Sequence, residues 1–185
     1  WNAANKFTGW TDVDLSEIGE GEAESAGKEL ADIAFDIVYT SDLKRAQRTA
    51  KIAMSHNTAS DEIPTINDWR LNERNYGDLQ GLDKDETRAK FGAEQVHIWR
   101  RSYDIPPPGG ESLKTCAERT IPCLEELIIP DLEAGKTILI AAHGNSLRSI
   151  VMHIEGLSKE EVLSLEIATG VPRAYEYDNG NFTRI

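Results

Sequence analysis

The 185-residue sequence has no apolar run that could cross a bilayer. Its longest uninterrupted aliphatic stretch is Ile138–Ala142, against the roughly 20 residues a spanning helix needs. No basic-then-apolar stretch opens it, so a secretory leader is not expected within it. Cysteine is scarce: Cys116 and Cys123 are the two. On one helix that spacing is a rise of about 10 Å, beyond the roughly 7 Å between Cα atoms that a disulfide spans. With no CxxC and no Cys/His cluster, a metal is not expected either. Reduced thiols point to a cytoplasmic setting. Basic residues are also few, 20 Lys and Arg against 32 Asp and Glu, for a net charge of −12. A field of that sign repels nucleic acid and anionic lipid, so neither is expected as a partner. A small anionic substrate remains compatible, because it needs only a local cationic pocket.

What is present is ordinary globular composition, 39% hydrophobic and 28% charged, of a length that suits one domain over 1–185. Ser16, with Glu17 and Glu20 behind it, reads as a helix start, and Ala23, Ala26, Leu30 and Ile33 follow at helical spacing. Gly19, Gly21 and Gly27 weaken that helix. Phe35–Thr40 reads as a buried strand, and Ser41 as the cap of a second helix running to about Ile52. The stretch 63–76 is mixed. Asp85–Arg101 reads as helical and ends before the Pro106–Gly110 loop. Ser112 starts another helix, with Pro122 inside it expected to kink it. Lys136–Ala142 reads as a second buried strand and Ser146–Gly156 as the helix after it. Val171–Ile185 reads as a closing hairpin turning at Asp178-Asn179-Gly180. Strands alternating with helices predict an α/β protein with a mostly parallel sheet.

Four segments could carry chemistry. In Thr137–Arg148 a strand ends at His143, Gly144 permits a tight turn, and a helix begins near Asn145 or Ser146. Ligands in open α/β sheets sit beyond the carboxyl ends of the strands, where helix N-termini offer N–H groups to an anion. The alternative is a solvent-facing loop histidine. Tyr39–Arg48 repeats the strand–turn–helix pattern, with Arg45 about one turn into its helix; a planar guanidinium there suits phosphate oxygens, whereas Lys44 and Arg48 read equally well as solvated. Glu73, in the loop-like Trp69–Gly81, could exchange a proton beside anion-binding groups, or simply pair with Arg74 at the surface. Arg100 and Arg101 are either an anion clamp or cations at a helix C-terminus. His56, His97 and His153 read as packing or solvated positions.

These residues resemble the 2,3-bisphosphoglycerate-dependent phosphoglycerate mutases of the histidine phosphatase superfamily. The matching segments are Phe7–Trp10 (FTGW), Asp14–Gly19 (DLSEIG), Tyr39–Ala46 (YTSDLKRA) and Trp69–Lys84 (WRLNERNYGDLQGLDK), followed by Glu94–Pro108 (EQVHIWRRSYDIPPP), Ala141–Arg148 (AAHGNSLR) and Thr169–Pro172 (TGVP). The resemblance implies a three-layer α/β/α sandwich and transfer of a phosphoryl group through a phosphohistidine, interconverting 3-phosphoglycerate and 2-phosphoglycerate. It implies 2,3-bisphosphoglycerate as the priming donor, no metal, and a homo-oligomer, dimer or tetramer. By this resemblance Arg45 holds the transferred phosphate, His143 stabilises its charge, and Glu73 exchanges a proton with the substrate hydroxyl. Asn2, Thr8, Gly9, Tyr76, Lys84, Arg100, Arg101, Gly144 and Asn145 match phosphate or carboxylate contacts.

Three departures from the family pattern bear on activity. The Arg-His-Gly motif whose histidine is the family's nucleophile is expected just before Trp1, its histidine five residues upstream. A native protein with roughly a dozen or more residues before Trp1 would hold a central strand there. Beside Ile138–Ala142 the sheet is therefore expected to show either an open lane or another segment filling it. Only Gly109 and Gly110 stand between Pro108 and Glu111, where many relatives carry a long insertion, and the chain stops at Ile185 without their longer tail. These features bear on the balance between mutase and phosphatase, and the two alternatives to a mutase are a phosphomonoester phosphatase and a catalytically silent phosphate-binding module.

Overall fold

Short apolar strands and the helices between them make up the computed structural model, which describes residues 4–58 and 63–185. In chain order the elements are α1 (Glu17–Glu29), β1 (Ile37–Thr40), α2 (Lys44–Ser55), β2 (Thr65–Asn67), α3 (Lys84–Phe91), α4 (Ala93–Arg101), α5 (Leu113–Cys123), α6 (Ile129–Glu133), β3 (Ile138–Ala141), α7 (Gly144–Glu155), α8 (Lys159–Ser164), β4 (Tyr175–Asp178) and β5 (Asn181–Arg184). The strands β2-β1-β3 form a parallel sheet, with Ile37 opposite Ile138 and Val38 opposite Thr65. The fold is the α/β arrangement the sequence pattern predicts.

β1 is buried along its whole length because it has a strand on each side and helices over its faces. Its inward residues Ile37 and Tyr39 join Leu71, Cys123, Leu124, Ile128 and Ile150 in the main core. Each such side chain contributes about 1.5–3 kcal/mol on removal from water. α2 presents Ala46, Ala50 and Ala53 inward, and α1 meets it through Ala23 and Gly27. A Cβ on Gly27 would stand 2.6 Å from the Ala53 carbonyl oxygen, so the glycine that weakens α1 by propensity is what lets the two backbones approach. Cys116 and Cys123 are both buried free thiols.

Several boundaries differ from the sequence reading. Leu43, not Ser41, precedes α2, and it provides no side-chain cap. Ser41 instead turns its hydroxyl to His143 at 2.8 Å. Asp85–Arg101 is two helices, broken at Gly92, whose φ of 91° suits a residue without a Cβ. Ser112 caps α5 as expected, accepting the Thr115 N–H at 3.2 Å. Beyond Pro122 the helix widens into a π turn at Leu124–Ile128 before α6. The hairpin β4–β5 turns at Asn179 and Gly180, both at positive φ, and stands as a separate two-stranded sheet.

β3 corrects the reading of a second buried strand. Its four apolar residues are half-buried rather than buried. The reason is that β3 pairs only with β1: among the described residues no strand lies along its other edge. Of the two expected outcomes, a strand filling that edge is not found among the described residues.

Candidate active site

The site lies beyond the carboxyl ends of β1 and β3, where the chain leaves each strand for α2 and α7. His143 ends the β3 segment in extended backbone immediately before α7. It is 8% exposed, which removes the solvent-facing alternative. Its Nε2 meets the Ser41 hydroxyl, which also accepts the Leu43 N–H at 3.2 Å. Burial, then the positive charges of Arg45 and Arg119, push the imidazole down to about 3. His143 is therefore neutral at physiological pH. Two cations and no carboxylate lower its affinity for a proton, and an arriving anion would offset them.

Arg45 is the second residue of α2, nearer the helix start than its spacing suggested. Its guanidinium donates to the Gly9 carbonyl at 2.7 Å and the Thr11 carbonyl at 3.1 Å. Among the described residues it makes no ion pair; burial lowers its pKa, and Glu73 and Asp12 oppose this. Gly9 is at φ +55°, and a Cβ there would meet the Gln80 side chain at 2.2 Å. Gln80 Oε1 accepts the N–H groups of Trp10 and Tyr76 at 2.7 and 3.2 Å. Gln80 thus pins the strip containing Thr8 and Gly9 against Tyr76.

Glu73 is half-buried, and its side chain is not paired with the Arg74 guanidinium. Its Oε1 accepts two backbone N–H groups, from Arg74 at 2.7 Å and from Asn145 in the first turn of α7 at 3.1 Å. Its Oε2 lies 3.9 Å from where a Cβ on Gly144 would stand. The helix start that the sequence offered to an anion thus holds this carboxylate on one side. Arg74 is buried, 1% exposed, and donates to the carbonyls of Glu111, Arg100 and Trp99.

A second group surrounds the Phe7 ring. Lys84 Nζ lies 5.8 Å and the Arg100 guanidinium 5.9 Å from its centroid, and Tyr76 packs against it at 5.3 Å. Among the described residues neither the Lys84 ammonium nor the Arg100 guanidinium has a hydrogen bond or ion pair. Both pKa values are lowered, by burial first: for Lys84 the positive charges of Arg100, Arg88 and Arg101 add to it, and for Arg100 those of Arg101, Arg88 and Arg74 do, against Tyr76. Like charges packed without a counterion repel, and an anion relieves that repulsion. Arg101 also lines, with His97, Arg148 and residues 163–168, a neighbouring open cleft of about 850 Å³. Arg100 and Arg101 occupy adjacent positions in the last turn of α4, and the Arg101 charge still acts on Arg100 and Lys84.

The structure thus gathers Arg45, Glu73, His143, Gly144 and Asn145, with Gly9 bonded to Arg45. It sets Tyr76, Lys84 and Arg100 beside Phe7 and puts Arg101 at the rim. Asn2 lies outside the described residues. Sequence reasoning passed over Ser41's contact with His143, Gln80's pin, and Arg119. The last had a signal: Cys116, Arg119, Thr120 and Cys123 follow helical spacing, and a charge on a stripe that faces inward must have a buried partner. Arg100→Ala is expected mainly to raise the KM for an anionic substrate, several-fold or more, because its contact is made alike in ground and transition states. Steady-state kinetics check this, and a fall in kcat comparable to the loss in kcat/KM would contradict it.

A neutral histidine, an arginine without an ion pair and a carboxylate at a helix start, beside a group of lone cations, make an anion-attracting cluster at the strand ends of an α/β sheet. The sequence model of the histidine phosphatase superfamily (branch 1) matches residues 1–184. The chain is 55% identical over 178 residues to the 2,3-bisphosphoglycerate-dependent phosphoglycerate mutase of Allorhizobium ampelinum, covering 95% of this chain and 84% of that one. It is 48% identical to the enzyme of that name from Protochlamydia amoebophila, with 100% and 93% covered. The structure of YhfR from Bacillus stearothermophilus superposes with a TM-score of 0.87 at 27% identity, over 100% of this chain and 89% of that one. The chain belongs to the histidine phosphatase superfamily and, within it, to the 2,3-bisphosphoglycerate-dependent phosphoglycerate mutase family.

Proposed function

We propose that this protein interconverts 3-phosphoglycerate and 2-phosphoglycerate, the reaction named for its mutase relatives, as an isomerase of glycolysis and gluconeogenesis. The observation that carries the reading is the Glu73 carboxylate, held by two backbone N–H groups next to Arg45 and the His143 end of β3. A mutase needs an acid/base at the substrate hydroxyl as well as a phosphate clamp, and the neighbouring Glu73 and Arg45 support that pair of roles.

In this reading Arg45 takes the equatorial oxygens of the transferring phosphoryl group by exchanging its two carbonyl partners for them. His143 supplies a further hydrogen bond. As the phosphoryl group moves to the substrate hydroxyl, Glu73 accepts the proton that oxygen releases, and it returns a proton when the group moves back. These roles suit a reaction governed by positioning and charge stabilisation. The Lys84, Arg100 and Tyr76 group holds the carboxylate or the phosphate not being transferred. Unneutralised cations around Phe7 fit a multiply charged anion such as 2,3-bisphosphoglycerate, which when bound supplies the phosphoryl group that primes the histidine. The phosphoryl-carrying histidine, on this reading, is that of the Arg-His-Gly motif of the family.

The short connection at Pro108–Glu111 lies tight against residues 75–78, with Asp78 N–H bonded to the Pro108 carbonyl at 2.9 Å and Glu111 N–H to that of Asn75 at 2.7 Å. A connection this short is the feature that keeps the phosphatase alternative in play. A coupled assay with and without bisphosphoglycerate separates the two. Formation of 2-phosphoglycerate that depends on the primer is expected; release of inorganic phosphate without 2-phosphoglycerate would overturn the mutase reading. The reading includes one domain over 1–185, a cytoplasmic location and a homo-oligomer. Among the described residues no helix is long and apolar enough to cross a membrane, and light scattering tests the assembly.

A further inference from the structure

We infer that Arg119 is a positioning residue for Glu73, its buried guanidinium and the Trp10 indole fixing the peptide from which the Glu73 carboxylate reaches the first turn of α7. The inference rests on the reading of Glu73 as the acid/base. Arg119 is 9% exposed and lies on the inward stripe of α5. All five of its N–H donors are used. Nε and one Nη2 hydrogen go to the two Glu111 oxygens, both at 2.8 Å. The other Nη2 hydrogen goes to the Glu73 carbonyl at 2.8 Å, and Nη1 serves the carbonyls of Arg70 and Asn72 at 2.9 and 3.0 Å. The Glu73 carbonyl accepts a second bond, from Trp10 Nε1, whose ring lies 5.3 Å from the same guanidinium.

The geometry follows from what this loop lacks. Residues 72–76 have no strand or helix to satisfy their backbone, so their carbonyls need donors from elsewhere. A guanidinium is the one side chain with enough donors in a fixed plane to hold a carboxylate with two bonds and three carbonyls at once. Glu111 completes the frame, neutralising Arg119 and accepting the Asn75 N–H at 2.8 Å. With the peptides at 70, 72, 73 and 75 tied to one ion pair, the Glu73 side chain leaves the backbone in one direction. It then meets the Asn145 N–H, 72 positions further along the chain. Reacting groups displaced by about 1 Å lose roughly a hundredfold in rate, and lysine could supply neither the fork nor the count of bonds.

The test uses the full-length active protein carrying Arg119→Lys, and separately Trp10→Phe, which removes one of the two donors to the Glu73 carbonyl and keeps a ring. Arg119→Lys is expected to lower kcat roughly a hundredfold with KM changed less than about threefold. The backbone amide resonances of Asn145 and Arg74, both bonded to Glu73 Oε1, should move in the direction that Glu73→Gln moves them, while those of α1 and α2 stay in place. Trp10→Phe should move the same two resonances by less and lower kcat roughly tenfold. A folded Arg119→Lys protein whose Asn145 amide is unmoved would overturn the inference. So would a folded Trp10→Phe protein unchanged in both readouts, which decides the matter if Arg119→Lys does not fold. Full activity of Glu73→Gln, with the Asn145 amide still displaced by Arg119→Lys, would instead overturn the acid/base reading and leave the positioning role standing.

Discussion

Arg45→Ala is expected to lower kcat/KM for phosphoglycerate interconversion by at least 10²–10³-fold, roughly 3 kcal/mol or more of transition-state stabilisation. The Arg45 guanidinium donates to the carbonyls of Gly9 and Thr11 and lies close enough to Glu73 to feel its charge. Its present partners are carbonyl oxygens rather than a carboxylate, so its charge is not cancelled before the phosphoryl group arrives. The structural cost is smaller: two carbonyls lose a donor, each worth about 1 kcal/mol, and no packed apolar side chain is removed. Activity and thermal unfolding measured on the same preparation check the separation. A fall in kcat/KM of only a few-fold, or a melting temperature that collapses along with activity, would count against the role assigned to Arg45.

The fold is also expected to weaken on the acid side of neutrality because of one histidine. In the unfolded chain an imidazole titrates near 6.5; in the fold, burial and then Arg45 and Arg119 push His143 down to about 3. Between those values the unfolded chain binds a proton that the folded chain does not. Stability is therefore fully present above about pH 6.5 and is lost as pH falls toward 3, at about 1.4 kcal/mol per unit, reaching about 3 kcal/mol by pH 4.5. Asp68, Asp131 and Glu155, whose carboxyl pKa values are also lowered, add losses of the same sign. The comparison is therefore between wild type and His143→Gln, which retains those carboxylates. Urea unfolding at pH 7.5 and 4.5 should show a steeper loss in wild type. Equal losses in the two proteins would mean that His143 does not carry the effect. Saturating inorganic phosphate should reduce the slope, because an anion between Arg45 and His143 offsets the two arginine charges.

Much of the fold was legible in the residue pattern because it depends on local periodicity. The helix capped by Ser16, the helix capped by Ser112 and the Asn179-Gly180 turn follow from short-range sterics and side-chain bonds to the backbone. The strand-to-helix turns at His143 and near Arg45 were visible for the same reason. What failed were positions where a distant partner outbid a local preference. Ser41 has the composition of a cap but spends its hydroxyl on His143, across 102 positions. Gly27 weakens a helix in isolation but permits the contact between α1 and α2. The Arg74 side chain, one residue from a carboxylate, ignores it and goes to the end of α4.

By itself the sequence determined the α/β class, the site at the strand ends, and, through its motifs, the family. All three are carried by residue types at short spacing, which a linear chain displays directly. The tertiary structure decided which charges are spent and which are free. Among the described residues Glu111 neutralises Arg119 while Arg45, Lys84 and Arg100 stay without a carboxylate ion pair, and a buried His143 is neutral. Charge state and pairing depend on burial and on neighbours tens of residues away, and those quantities exist only once the chain has folded around them.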